Sequence, residues 1–291
     1  MRSHKGTRVL IVLSLAAVAF MAAAGAADAK KHHKRKHRLG PLLVLAAGAT
    51  TSGNGGIATQ TATCPRKTRA VGGGFSGTPA NNAILPVVYE SQKVGQRAWR
   101  APSQIADTSG PGSVTLTVFV ECRRNAPVTT AVATTIPTAD TSQVGPSATA
   151  SCPKGKLQAG GFAMDPPLNG STIKALLLSS TVSGPLSWES SVISDHSSTL
   201  TSFAYCGKAK KTLHPVTATV TGQPTSGTAS TAVAACTGRP QSGGFSQTAV
   251  LAMGGGYFLP YESRIDLNTW RVSATHIGTG PEPLTATALC G

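Results

Sequence analysis

Arg69-Ala-Val-Gly-Gly-Gly-Phe-Ser-Gly77 is the stretch that decides the fold of this 291-residue chain. Read alone, its glycines suggest a loop that cradles a phosphate. Such a loop lies between a parallel strand and a helix, and it needs a lysine or a helix N-terminus aimed at the anion. No helical periodicity follows Gly77. The stretch also recurs, as Gln158-Ala-Gly-Gly-Phe162 and Gln241-Ser-Gly-Gly-Phe245, each time a short distance after a cysteine. The glycines therefore mark a repeat. They predict a bulge or a close backbone approach beside a disulfide, with Phe75, Phe162 and Phe245 anchoring the core.

The six cysteines are Cys64, Cys122, Cys152, Cys206, Cys236 and Cys290, with separations of 58, 30, 54, 30 and 54 residues. That alternation is one unit used three times. Six cysteines allow 15 pairings, but only Cys64–Cys122, Cys152–Cys206 and Cys236–Cys290 give each unit the same staple. Each bridge closes a loop long enough to stabilise by about 4 kcal/mol in the chain-entropy model. Disulfides on this scale belong to an oxidising compartment. Other landmarks keep the same order. Repeat one has Cys64-Pro65, Tyr89-Glu90-Ser91, Trp99 and Leu116-Thr117; repeat two has Cys152-Pro153, Leu178-Ser179-Ser180, Trp188 and Leu200-Thr201; repeat three has Cys236, Tyr261-Glu262-Ser263, Trp270 and Leu284-Thr285. The boundaries fall near 40–124, 125–209 and 210–291, about 85 residues each, with about six short strands per unit.

The last strand of repeat one shows the pattern. Val114, Leu116, Val118 and Val120 share a face with Cys122, while Thr115, Thr117 and Glu121 face the other way. One face is core and the other is wet or paired, as in antiparallel sheet. The expected class is all-β: three tandem, disulfide-stapled antiparallel repeats, packed either as small sandwiches or as one pseudo-threefold β-prism.

The Cys-Pro, Gly-Gly-Phe, Trp and Leu-Thr-x4-Cys pattern resembles repeats of exported, largely uncharacterised proteins of high-GC Gram-positive-type bacteria. Thr237 after the first cysteine of repeat three, and the missing Tyr-Glu pair in repeat two, depart from it. More weakly, a triple β-repeat is similar to β-prism lectins and egg-envelope proteins with internal threefold symmetry. Neither likeness implies an activity.

The chain opens with a basic segment ending at Arg8, an apolar run from Val9 to Phe20, and Ala27-Asp28-Ala29. This is the pattern of a secretory signal peptide over 1–29, cleaved after Ala29; an uncleaved anchor is the alternative reading. No later segment is long and apolar enough for a spanning helix, so no transmembrane segment is expected after cleavage. The formal charge is +15, and a dense part of it lies in Lys30-Lys-His-His-Lys-Arg-Lys-His-Arg38. A run of this kind, over 30–39, should be a solvated basic arm. It suits an anionic cell-wall polymer or polysaccharide; no specific nucleic-acid partner is expected, and the export signal excludes a nuclear role.

Chemistry has few footholds. Trp99, Trp188 and Trp270 would serve either as stacking platforms for sugar rings or as buried neighbours of the disulfides. Glu90 and Glu262 are equivalent, but they stand in separate repeats and suit a structural or ligand hydrogen bond better than a glycosidase pair. Asp195-His196-Ser197-Ser198 offers hydrolase residue types that the other repeats lack. Asn169-Gly170-Ser171 is a formal sequon and, first, a turn. No Cys-x2-Cys or Cys/His pair occurs and the arm's His32, His33 and His37 sit among cations, so neither a metal nor another cofactor is expected. The function expected from the sequence is a secreted, non-catalytic binding or adhesion protein of the cell envelope or matrix, with carbohydrate among its ligands. The alternatives are a purely structural spacer and an extracellular hydrolase using Asp195 and His196.

Overall fold

The structure, a computed structural model, describes residues 40–52, 56–78, 84–107, 113–138, 145–169, 172–208, 211–222, 225–248 and 256–291. The signal segment, the basic arm and Gly170-Ser171 of the sequon lie outside the described residues. Among the described residues all regular structure is β-strand. Repeat one contains β1 (Leu42–Ser52), β2 (Ile57–Thr63), β3 (Thr68–Thr78), β4 (Ile84–Val88), β5 (Glu90–Val94), β6 (Ala98–Asp107) and β7 (Ser113–Arg124). Repeat two contains β8 (Thr129–Thr138), β9 (Ser147–Ser151), β10 (Lys156–Met164), a short hairpin of β11 (Leu168–Asn169) and β12 (Thr172–Ile173), β13 (Ala175–Gly184), β14 (Ser187–Ser194) and β15 (Ser198–Gly207). Repeat three contains β16 (His214–Thr221), β17 (Ala229–Ala235), β18 (Ser242–Gln247), β19 (Tyr257–Asp266), β20 (Thr269–Ile277) and β21 (Pro283–Cys290).

Of the two packings left open by the sequence, strand order selects the shared one. The half-sheet β2-β6-β5 of repeat one continues into β10-β15-β8 of repeat two. In turn β9-β14-β13 of repeat two continues into β18-β21-β16 of repeat three, and β17-β20-β19 of repeat three continues into β3-β7-β1 of repeat one. The repeats are tandem in sequence and stapled one by one, but none completes a sandwich of its own. Each gives three strands to each of two sheets, with β4 added beside β6 and β11-β12 standing apart as a hairpin, so three antiparallel sheets close a ring. This is the pseudo-threefold prism arrangement.

The Gly-Gly-Phe motif sits at the seams. Phe162 pairs with Ser91, Phe245 with Ser180 and Phe75 with Ser263, always across two repeats. A side chain on the first glycine (Gly73, Gly160 or Gly243) would overlap the indole of the same repeat's tryptophan. On the second (Gly74, Gly161 or Gly244) it would overlap the carbonyl of Ser263, Ser91 or Ser180 in the neighbouring repeat. One glycine admits the tryptophan and the other admits the next repeat. The register shift expected near the motif occurs just before it, between Ala70 and Gly72 and between Leu157 and Ala159.

All three disulfides form as expected, Cys64–Cys122, Cys152–Cys206 and Cys236–Cys290, with Cα–Cα distances of 5.6, 5.5 and 5.6 Å. Each ties the end of a repeat's second strand to its last strand, which lies in the adjoining sheet. Because the seams are antiparallel, the start of each third strand lies beside the hairpin turn of the neighbouring repeat. The three bridges therefore stand at one end of the ring, together with the turns after Val94, Gly184 and Asp266.

Candidate functional site

The three tryptophans converge inside the ring rather than on its surface. Each is 1% exposed. Trp99, Trp188 and Trp270 donate from Nε1 to the hydroxyls of Ser91, Ser180 and Ser263 at 2.9, 2.9 and 3.1 Å. These serines follow Glu90, Ser179 and Glu262, so the repeated Tyr-Glu-Ser and Leu-Ser-Ser triplets exist partly to satisfy a buried indole N–H. The axial space among the three tryptophans, phenylalanines and serines is about 20 Å³, room for about one water. The stacking-platform reading of the tryptophans is thereby corrected: no sugar ring reaches indoles that fill the core.

Glu90 and Glu262 are also engaged within the fold. Arg100 donates to Glu90 at 2.5 Å. Glu262 accepts from Arg264 at 2.7 Å, Arg271 at 3.0 Å and Ser273 at 2.5 Å. Both carboxylates are mostly buried and brace the inner strands of a seam through these bonds. At the matching position of repeat two, Ser179 shares a hydrogen bond with Ser191 at 2.6 Å.

The Asp195 and His196 pair lies on the end opposite the disulfides. Lys174 binds Asp195 at 2.9 Å and holds its carboxyl below the usual range. The Asp195 carboxylate (3.4 Å), the Ser194 hydroxyl (3.2 Å) and the Lys174 carbonyl (3.2 Å) all approach one nitrogen, Nδ1 of His196. A relay triad uses one ring nitrogen for the carboxylate and the other for the nucleophile. Ser198 instead bonds Asp165 at 3.3 Å. The residue types are together, but not in relay order.

The disulfide end carries a different chemistry. Exposed cations flank every bridge: Arg66 and Lys67 after Cys64, Arg97 in the turn beside it, Arg124 after Cys122, Lys154 after Cys152, Lys208 and Lys211 after Cys206, and Arg239 after Cys236. Arg69, Arg123 and Lys156 are half-buried among them. By contrast Arg100, Arg264 and Arg271, a few residues further along the strands, and Lys174 at the opposite end face carboxylates. Asp266 is the acid in the hairpin turns at this end. Gly40, the first described residue, donates to the Arg124 carbonyl at 3.1 Å at this same end. No protein-family model matches the chain, and no curated protein matches it.

Beneath that end the three seams are filled differently, which periodicity could not show. The residue before each second cysteine points into a seam: Glu121, Tyr205 and Leu289. Between repeats one and two, Lys93 donates from its backbone to the Tyr205 hydroxyl at 2.7 Å, and from Nζ to Ala70 O at 2.8 Å and Thr129 Oγ1 at 2.6 Å. Burial, reinforced by Arg69, lowers Lys93 to about 8, and burial raises Tyr205. Between repeats three and one stands Glu121, expected on a wet face but fully buried beside Gly72 and the Gln241 carbonyl. The repeat-three loop before β18 covers that part of the sheet. The one signal of all this in the sequence is that a single position varies in chemistry between otherwise matching Leu-Thr-x4-Cys segments.

Both carboxyl oxygens of Glu121 lack a hydrogen-bond partner. Burial raises the group well above its ordinary value of 4.5, with Arg123 pulling the other way. The folded state thus holds the proton more tightly than the unfolded chain. The stability linked to this proton is complete below the unfolded value and is lost as pH rises through the raised folded value. Glu121→Gln, neutral at every pH, is expected to remove that slope, so that its stability no longer falls between pH 4 and pH 7. Urea unfolding at pH 4, 5.5 and 7 reads it, and an unchanged slope in the variant refutes it.

Proposed function

We propose that this is a secreted, non-catalytic binding or adhesion protein of the cell envelope or extracellular matrix, which attaches to anionic polymer, including acidic polysaccharide, through its disulfide end and basic arm. The observation that carries this reading is the gathering of exposed cations from all three repeats around the bridges, at the end that also holds Gly40, the residue next in sequence to the arm. A rigid three-sheet ring supports many weak charge contacts at once, so attachment gains from multivalency without a defined pocket. Three disulfides suit an oxidising compartment, and among the described residues no helix is long and apolar enough to cross a membrane. The second reading, a structural spacer, draws on the tryptophans and glutamates being spent on the fold.

Retention on immobilised heparin or a cell-wall polymer, followed by salt elution, separates the two. Deleting residues 30–38, and separately replacing Arg66, Lys67 and Lys154 by alanine, should each lower the eluting salt concentration, and together abolish retention at about 0.15 M salt. Retention indifferent to both changes removes the basic end from the function and leaves the spacer.

A further inference from the structure

The seam between repeats two and three is not plugged. Its positions correspond one for one to those of the first seam. Val182 faces Trp188 across its hairpin as Lys93 faces Trp99. Leu289 precedes its cysteine as Tyr205 does, and Leu213 precedes β16 at the place where Thr129 begins β8. The hydrogen-bonded lysine, tyrosine and threonine are thus replaced by valine and two leucines. With Leu157 and Pro185, these line an open hollow of about 490 Å³, within the range of small-ligand sites, roughly 300–1,000 Å³.

An imidazole stands in the lining of the hollow, and lysines are near it in sequence. His214 lines its mouth. Lys156 immediately precedes Leu157, and the exposed Lys211 lies two residues before Leu213. An apolar hollow of this size, with His214 in its lining and at the basic end of the fold, matches a ligand with an apolar tail and a negative head.

We propose that this hollow binds the alkyl chain of a small anionic amphiphile, with Leu157, Val182, Leu213 and Leu289 around the chain and His214 beside the headgroup. The tail gains by leaving water for a lining that is mostly apolar, with Ser183 and His214 its polar side chains. The head stays at the mouth, where the basic end of the fold favours it. The same position in the first seam is occupied by the protein's own Lys93 and Tyr205, so one such site per chain is expected.

The test is calorimetric titration of the full secreted chain with dodecanoate below its micelle concentration, and with dodecanol as the uncharged comparison. Dodecanoate should bind saturably at about one equivalent, and dodecanol more weakly. Leu289→Tyr, which imports the plug of the first seam, and Val182→Phe, which fills the hollow from the half-buried side, should each weaken dodecanoate at least about tenfold, the effect of excluding roughly two methylenes. Circular dichroism identifies which variants keep the fold, and Val182→Phe at the rim serves if Leu289→Tyr does not. His214→Gln should narrow the difference between dodecanoate and dodecanol. Binding should survive deletion of residues 30–38, which separates this site from polymer attachment. Absence of saturable binding, or full binding in a folded filled variant, overturns the proposal.

Discussion

A chain ending at residue 209 is expected not to fold, although it keeps two complete repeats and both of their disulfides. Repeat three supplies β17, β20 and β19 to one sheet and β16, β21 and β18 to another. Removing it strips the partner from β3 and from β13. Both edges would then be long and bare, and they would carry core residues, Phe75 among them, into water. The axis would also lose Phe245 and Trp270, both at most 2% exposed in the complete ring. The expected result is loss of the β-sheet signal in circular dichroism, or aggregation on size exclusion. A circular permutant separates dependence on three repeats from dependence on chain order. Joining Gly291 to Gly40 through a short linker reproduces the kind of link that runs from β7 to β8 and from β15 to β16, and reopening the chain at 209–210 should leave a folded monomer. A folded, monomeric two-repeat chain would show instead that the repeats stand alone.

The threefold plan was legible because cysteine spacing and the Gly-Gly-Phe, Trp and Leu-Thr landmarks are local patterns, and local patterns fix strand faces. Leu116, Leu200 and Leu284 are fully buried, as alternation demands. In repeats two and three the following threonines pair outward, Thr201 with Thr135 and Thr285 with Thr219, at 2.8 Å each. What was not legible is which repeat completes which sheet. A strand shows one core face to a partner of its own repeat or of the next, and alternation is the same for both. The seams were hidden for a related reason. Glu121, Tyr205 and Leu289 occupy one position of the repeat, and a periodic reading places all three on the outer face. Only the loop and turn contributed by the neighbouring repeat bury them, and those contacts span more than 100 residues of sequence, as between Lys93 and Tyr205.

The two glycines of each motif should differ in what they tolerate, and the difference tests the assembly directly. Gly161→Ala places a methyl group against the Ser91 carbonyl of repeat one. That carbonyl belongs to the inner backbone of a seam and has nowhere to retreat without parting Phe162 from Ser91. A cost of about 3–5 kcal/mol is expected, because the change combines overpacking with lost inter-repeat pairing. Gly160→Ala meets the Trp188 indole instead. The buried ring must tilt within one repeat's core but no inter-repeat pairing is lost, so overpacking alone applies, at about 1–3 kcal/mol. Gly238→Ala has open space around the new methyl group and should be neutral or slightly stabilising. Urea unfolding followed by tryptophan fluorescence ranks the three variants, and the buried indoles should give a blue-shifted, quencher-resistant native signal. Equal costs at Gly160 and Gly161 would mean that the second glycine is not the point at which one repeat is fastened to the next.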